Sequence, residues 1–100
     1  MNKTLNMLGM ARRANKVSLG HDASLEALNK SLSRLIVVSS DASDRLREEM
    51  QGKCEALGTE CLTLEYTMNE LGASLGAKTT AVLSVNDEGF AKRIQELEEN

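Results

Sequence analysis

The chain has 100 residues and a mass of 10.9 kDa, enough for one domain that buries roughly 65% of the surface its unfolded form exposes. With 41% apolar and 27% charged residues, it has the composition of neither a disordered segment nor a membrane-spanning one. A formal charge of −3, taken as a whole, speaks against a nucleic-acid binder, and an apolar set rich in Leu and Ala favours helices over a large all-β core.

Residues 3–14 place Leu5, Leu8 and Ala11 on one stripe, with Met7 and Met10 beside it. That spacing predicts a helix, and Asn15 suits the left-handed turn that ends one. Lys16 to Leu19 alternates as a short strand, broken by Gly20. Asp22 or Ser24 is then expected to cap a second helix carrying Leu25, Leu28 and Leu32. The continuous run Leu35-Ile36-Val37-Val38 reads as a strand buried on both faces. Ser39 to Ser43 is a turn, with Ser43 a natural N-cap.

Leu46, Met50, Cys54 and Leu57 form the apolar stripe of a third helix that Gly58 ends. Its doublet Glu48-Glu49 is expected on the solvated side. Cys61 to Leu64 is a third strand. Thr67-Met68-Asn69-Glu70 is a capping box, so a short fourth helix starts there and stops at Gly76. Thr80 to Val85 alternates into a fourth strand, and Phe90, Ile94 and Leu97 mark a final helix. Strands separated by such helices imply a single α/β domain over residues 1–100, a three-layer α/β/α sandwich.

Enzymatic chemistry finds little support. His21 is the one histidine, and a Cys54–His21 dyad is the only nucleophile–base pair left open. Cys54 and Cys61, seven residues apart in Leu-rich surroundings, fit no zinc pattern and read as packing residues. No phosphate-cradling glycine loop is present. The expectation is a non-enzyme with no cofactor and no metal site. The N-terminal residues lack the apolar core of a secretory signal and no stretch has the length of a membrane span, so a soluble cytoplasmic protein is expected.

Charge is unevenly spread. Residues 1–34 carry six basic side chains against Asp22 and Glu26, while residues 35–100 carry six against thirteen acidic ones. The basic third points to a polyanion-facing surface. Gly20 stands between a strand and a helix, where unpaired N–H groups and a positive dipole accept phosphate or a base edge. Arg12, Arg13 and Lys16 precede it and Lys30 follows.

From about Leu5 to Leu97 the chain resembles the superfamily of the large-subunit ribosomal proteins L7Ae and L30e, and within it the small bacterial kink-turn-binding members. The stretches that carry the likeness are Leu8-Gly9-Met10-Ala11-Arg12-Arg13-Ala14-Asn15-Lys16, then Gly20, and Leu35 to Ser43 with its Asp-Ala-Ser. Lys53-Cys54-Glu55, Glu70-Leu71-Gly72 through Gly76, and Val85 to Ala91 complete it. Their order and spacing span nearly the whole domain.

The resemblance implies a four-stranded mixed sheet in the sandwich. It also implies a ribosome- or translation-associated protein that binds structured RNA, either rRNA or a kink-turn, and neither a membrane nor a small-molecule substrate. Such proteins read a kink-turn with the start of the second helix and the loop before the last strand. Carried over, the RNA-binding residues are Gly20, His21 and Asp22, with Lys16, Lys30, Lys78 and Thr79, flanked by Arg12 and Arg13. This sequence departs from the family's usual Gly-x-Asn-Glu and following Lys: Asp22, Ala23 and Glu26 stand at those three positions. Ala77-Lys78-Thr79 replaces an apolar Leu/Val-Glu-Val-Pro-type segment. Asp accepts but does not donate at neutral pH, so weakened kink-turn affinity is expected. The alternative is a protein-interaction module that kept the scaffold and lost RNA binding.

Overall fold

A computed structural model describes residues 2–99. In chain order its elements are α1 (Lys3–Arg13), β1 (Val17–Leu19), α2 (His21–Asn29), β2 (Leu35–Val38), α3 (Asp44–Leu57), β3 (Glu60–Thr63), α4 (Met68–Leu75), β4 (Val82–Val85) and α5 (Glu88–Glu98). Local chemistry sets most of these boundaries. Ser43 accepts from the Leu46 N–H at 3.1 Å, and Thr67 and Glu70 form both halves of the capping box. Gly58 and Gly76 close α3 and α4 in the left-handed conformation, as Asn15 does after α1.

The strands form one mixed sheet in the order β1-β4-β2-β3. β2 pairs parallel with β3 and antiparallel with β4, and β4 pairs antiparallel with β1. All four residues of β2 are completely buried. Successive strand side chains point to opposite faces, so Leu35 and Val37 join one core while Ile36 and Val38 join another. The first core packs α1, α4 and α5 on the sheet through Leu8, Leu71, Leu75, Ala91 and Ile94. The second packs α2 and α3 through Leu28, Met50 and Cys54. Two helical layers on one mixed sheet make the α/β/α sandwich.

Four local expectations change. No side chain caps α2; Gly20 holds that position, and Asp22 and Ser24 lie inside the helix. α2 ends at Asn29, Ser31 takes a left-handed turn at φ 60°, and Leu32 is left exposed outside the helix. Leu57, the last residue of α3, is also exposed rather than part of its apolar stripe. β4 does not alternate between core and solvent: Val82, Leu83, Ser84 and Val85 are all buried, because the strand lies between β1 and β2. The buried Ser84 is satisfied by Ser33 at 2.7 Å and Asn86 at 2.6 Å, and Asn86 donates on to Ser18.

Cys54 is buried and Cys61 half-buried, both reduced, in the second core. The Cys54 thiol hydrogen-bonds to Cys61; that bond and burial raise the Cys54 pKa, while the same bond lowers that of Cys61 against the opposing effect of burial.

Gly72 shows how close packing fixes a loop. A methyl group at its Cα would lie 2.0 Å from the Lys78 carbonyl oxygen and 3.0 Å from the Thr79 Cα. The chain after α4 therefore folds back against the helix along a path that no larger residue permits. Gly52, in the middle of α3, has nothing within 4 Å of the equivalent position. Gly72→Ala is expected to cost about 2–3 kcal/mol by overpacking. Gly52→Ala should instead gain roughly 0.5–1 kcal/mol of helix propensity. Urea denaturation of both variants checks the pair, and equal midpoints would contradict this packing.

Candidate functional site

The antiparallel rungs between β1 and β4 end where the Gly20 N–H donates to the Val82 carbonyl at 2.9 Å. Gly20 adopts φ 91° and ψ 175°, a region nearly restricted to glycine. That conformation turns the chain abruptly from strand into helix. The N–H groups of His21, Asp22 and Ala23 in the first turn have no intrahelical acceptor, and no side chain caps them.

Opposite this helix start lies the α4–β4 loop, residues 76–81. The Ala77 N–H donates to Gly72 at 2.8 Å and the Thr80 N–H to Met68 at 3.0 Å, pinning the loop along α4. Lys78 and Thr79 remain exposed at its tip while Thr80 is buried. Gly20 and His21 share one open groove of about 290 Å³ with Leu46, Ala77 and Thr79. Two regions 57 residues apart in sequence, Gly20 to Ala77, thus form a single concave surface. Exposed N–H groups at one wall and a fixed backbone loop at the other can accept an anionic or carbonyl-rich ligand by hydrogen bonding and shape.

His21 is held between two carboxylates at this surface. Its Nε2 lies 2.8 Å from Glu49 Oε1 on α3, and its Nδ1 lies 3.1 Å from Asp22 Oδ1. Hydrogen bonding to Glu49 first, then to Asp22, raises its pKa above the ordinary histidine value against a smaller opposing effect of desolvation. A group whose folded pKa is raised stabilises the fold fully below its unfolded pKa, near 6.5, and loses that contribution as pH rises through the folded value. The side chain is 43% exposed, so solvent screening keeps the contribution small. With both ring nitrogens committed to carboxylates and the Cys54 thiol hydrogen-bonded to Cys61, the Cys54–His21 dyad is not formed.

The basic residues do not gather around Gly20. Lys16 and Gly20 sit at opposite ends of β1, about 13 Å apart along an extended strand. Lys30 is the C-cap of α2, at the end of the helix away from Gly20. Arg34 belongs to the same end as Lys16, since its N–H donates to Val85, the β4 partner of Val17. Lys30 is paired with Glu26 at 2.6 Å, which lowers the Glu26 pKa. Arg12 reaches the Leu75 carbonyl at a long 3.5 Å, close to the start of the loop. Arg13 lines a separate concavity of about 590 Å³ between α1 and α4. Lys78 stands in the loop itself. The site residues therefore divide into Gly20, His21, Asp22, Lys78 and Thr79 at one end, Lys16 and Lys30 at the other, and Arg12 and Arg13 on the α1–α4 side.

Sequence reading misses two participants. Glu49 is assigned to a solvated face, yet it holds His21, and nothing local to residue 49 signals a partner 28 positions away. Gly72 is legible only as a glycine inside a short helix, a pattern that hints at a close backbone approach without naming its partner. Among the described residues no group of three or more His, Cys, Asp or Glu is arranged to hold a metal ion, and no helix is long and apolar enough to cross a membrane.

Comparisons with known proteins agree with this architecture. "RNA-binding protein YlxQ" of Bacillus subtilis (strain 168) is 30% identical over 88 residues, 88% of this chain and 87% of that protein. The protein of the same name from Enterococcus faecium is 28% identical over 95 residues, 95% of this chain and 90% of its own length. A Bacillus halodurans protein of unknown function has a structure that superposes over the full length of both chains, with a TM-score of 0.95 and 25% identity. The fold also matches the Giardia lamblia 15.5kD RNA binding protein, with a TM-score of 0.79 and 20% identity over 95% of this chain and 84% of that one. Residues 2–95 match the model of the ribosomal protein L7Ae/L30e/S12e/Gadd45 family. With that match across nearly its whole length and the sandwich described above, the chain belongs to the ribosomal protein L7Ae/L30e/S12e/Gadd45 family.

Proposed function

We propose that this protein is a non-enzymatic, cytoplasmic RNA-binding protein that acts with the ribosome or the translation apparatus on structured RNA of the kink-turn kind. The observation that carries the reading is the uncapped first turn of α2 sharing one groove with the α4–β4 loop. Family membership and the RNA-binding names of the Bacillus and Enterococcus relatives support it. In this reading the N–H groups after Gly20 meet base edges and phosphate at the bend. His21 and Asp22 line the same surface. Thr79 and the backbone beside it pack on an extruded nucleotide, and Lys78 neutralises a nearby phosphate.

Lys16 and Lys30 then contact phosphates on an RNA arm beyond the other end of α2, with Arg12 and Arg13 flanking on the α1 side. This division suits a bent duplex, whose two arms leave the bend in different directions. The Glu26–Lys30 ion pair has to loosen for Lys30 to engage. It is an exposed i,i+4 pair screened by solvent, so the exchange costs little.

Asp22 sets the affinity. Its carboxylate is fully exposed beside the helix start and offers only acceptors. Asp22→Asn restores a donor and removes a charge at a base-reading position, and should tighten kink-turn binding about tenfold or more. Replacing Lys16 and Lys30 together with Ala should weaken binding and reduce the slope of log affinity against log salt by roughly 1–2. Titration of a kink-turn RNA and an unbent duplex of equal length, at two salt concentrations, checks both expectations. No binding of either RNA at low salt would sink the reading. It would favour a protein-interaction module, for which Leu32 and Leu57 provide exposed apolar side chains near the ends of α2 and α3.

A further inference from the structure

The acidic surroundings of His21 bear on the charge that the groove presents. His21 follows Gly20 directly, so its ring stands over the first turn of α2. Glu49 Oε1, 2.8 Å from Nε2, makes the one side-chain hydrogen bond between α2 and α3 among the described residues. Asp22 Oδ1 takes the other nitrogen at 3.1 Å.

A protonated imidazole has two N–H groups and satisfies both carboxylates at once. A neutral imidazole has only one and turns a lone pair toward the other carboxylate. In the first state the three side chains sum to one negative charge and Glu49 is held back against His21. In the second they sum to two, and one carboxylate loses its donor beside the unpaired N–H groups of α2.

The remaining charged groups around the ring do not alter this balance. Arg45 and Lys53 stand one helical turn to either side of Glu49 on α3, and Lys78 is exposed on the α4–β4 loop, outside the residues that line the groove. None of the three forms an ion pair with Glu49 or Asp22. β1 and β4 contribute only Leu19 and Val82 to this part of the groove.

We propose that His21, Asp22 and Glu49 form a proton-controlled gate on anion binding at the start of α2, in which Glu49 is the residue that sets the gate. Protonated His21 holds Glu49 away from the helix start and cancels one charge, so the groove accepts a phosphate-bearing ligand. Loss of the proton frees a carboxylate that competes for the same N–H groups and repels the ligand. The proposal rests on the RNA reading of this groove and adds its regulation. Binding is favoured at mildly acidic pH and falls as His21 titrates. Because the hydrogen bonds to Glu49 and Asp22 raise the pKa of His21, the fall is displaced to higher pH than for an unpaired imidazole.

The test is kink-turn RNA affinity measured from pH 6 to pH 8.5 at constant ionic strength, together with the imidazole resonances of His21 in the free protein. The parent protein should bind about three- to tenfold more weakly at the upper end, the scale of one exposed charge facing a phosphate. Glu49→Gln keeps an acceptor for Nε2 but removes the charge. It should bind more tightly than the parent at pH 8.5, flatten the profile and lower the titration midpoint of His21. Glu48→Gln removes the neighbouring exposed charge and should leave the parent's profile in place. A pH-independent parent, or an identical fall in Glu49→Gln, overturns the gate while leaving RNA binding intact. A parent that binds no RNA at any of these pH values overturns the RNA reading, and the gate with it.

Discussion

The hydrogen bond from Gly20 to Val82 closes the β1–β4 ladder, and the geometry of the groove depends on that ladder. β1 has only three residues, Val17 to Leu19, and lies at the sheet edge. Its partner β4 is central and rigidly buried. The pairing sets Leu19 opposite Leu83, and one step further it lays the start of α2 beside the strand that the α4–β4 loop feeds. A slip of one residue would turn Val17 and Leu19 away from the core they pack against and separate Gly20 from Thr79. The register is held by apolar burial, and the groove follows from it.

Much of the fold was readable wherever the deciding chemistry is local. Ser43, the Thr67–Glu70 box, Gly58, Gly76 and Asn15 each mark a boundary through their own backbone or side-chain preference, and each stands where that preference puts it. The run Leu35–Val38 announced a central strand because nothing but burial on both faces explains four consecutive apolar residues. The errors arise at an unmarked turn or where the deciding partner is distant. Leu32 fits the period of α2, but the chain leaves the helix at Asn29 and Ser31 turns it aside. Ser84 looks like the solvent face of an alternating strand. It is buried because β4 inserts between β1 and β2, and strand order is invisible to a local pattern. The same limit hid Glu49, whose role exists only once α2 and α3 pack side by side.

Charge teaches a similar lesson at larger scale. The net value of −3 and the basic first third of the chain are both averages over residues that fold to different places. Lys16 and Lys30 share one end of the molecule, Gly20 and His21 the other, and Arg13 a third surface between α1 and α4. The two acidic residues of that third are each engaged with a cation or imidazole, Glu26 with Lys30 and Asp22 with His21. What a polyanion meets is therefore set by pairings and positions, and the sum over the sequence carries little of it.

The two walls of the groove are held by different physics, and this difference gives them different sensitivities. The loop wall is fixed by steric contact at Gly72 and by backbone hydrogen bonds to Gly72 and Met68, interactions that salt and mild changes of pH leave alone. The α2 wall is defined by partial backbone charges and by ionisable side chains that are substantially exposed, where screening and protonation act directly. In the proposed RNA reading, shape discrimination accordingly belongs to the loop, and dependence on conditions belongs to the helix start. A change at Gly72 would disturb the helix packing and the loop path together, because one contact serves both. A change at Glu49 leaves the packed core untouched and acts on the charge that an arriving ligand meets.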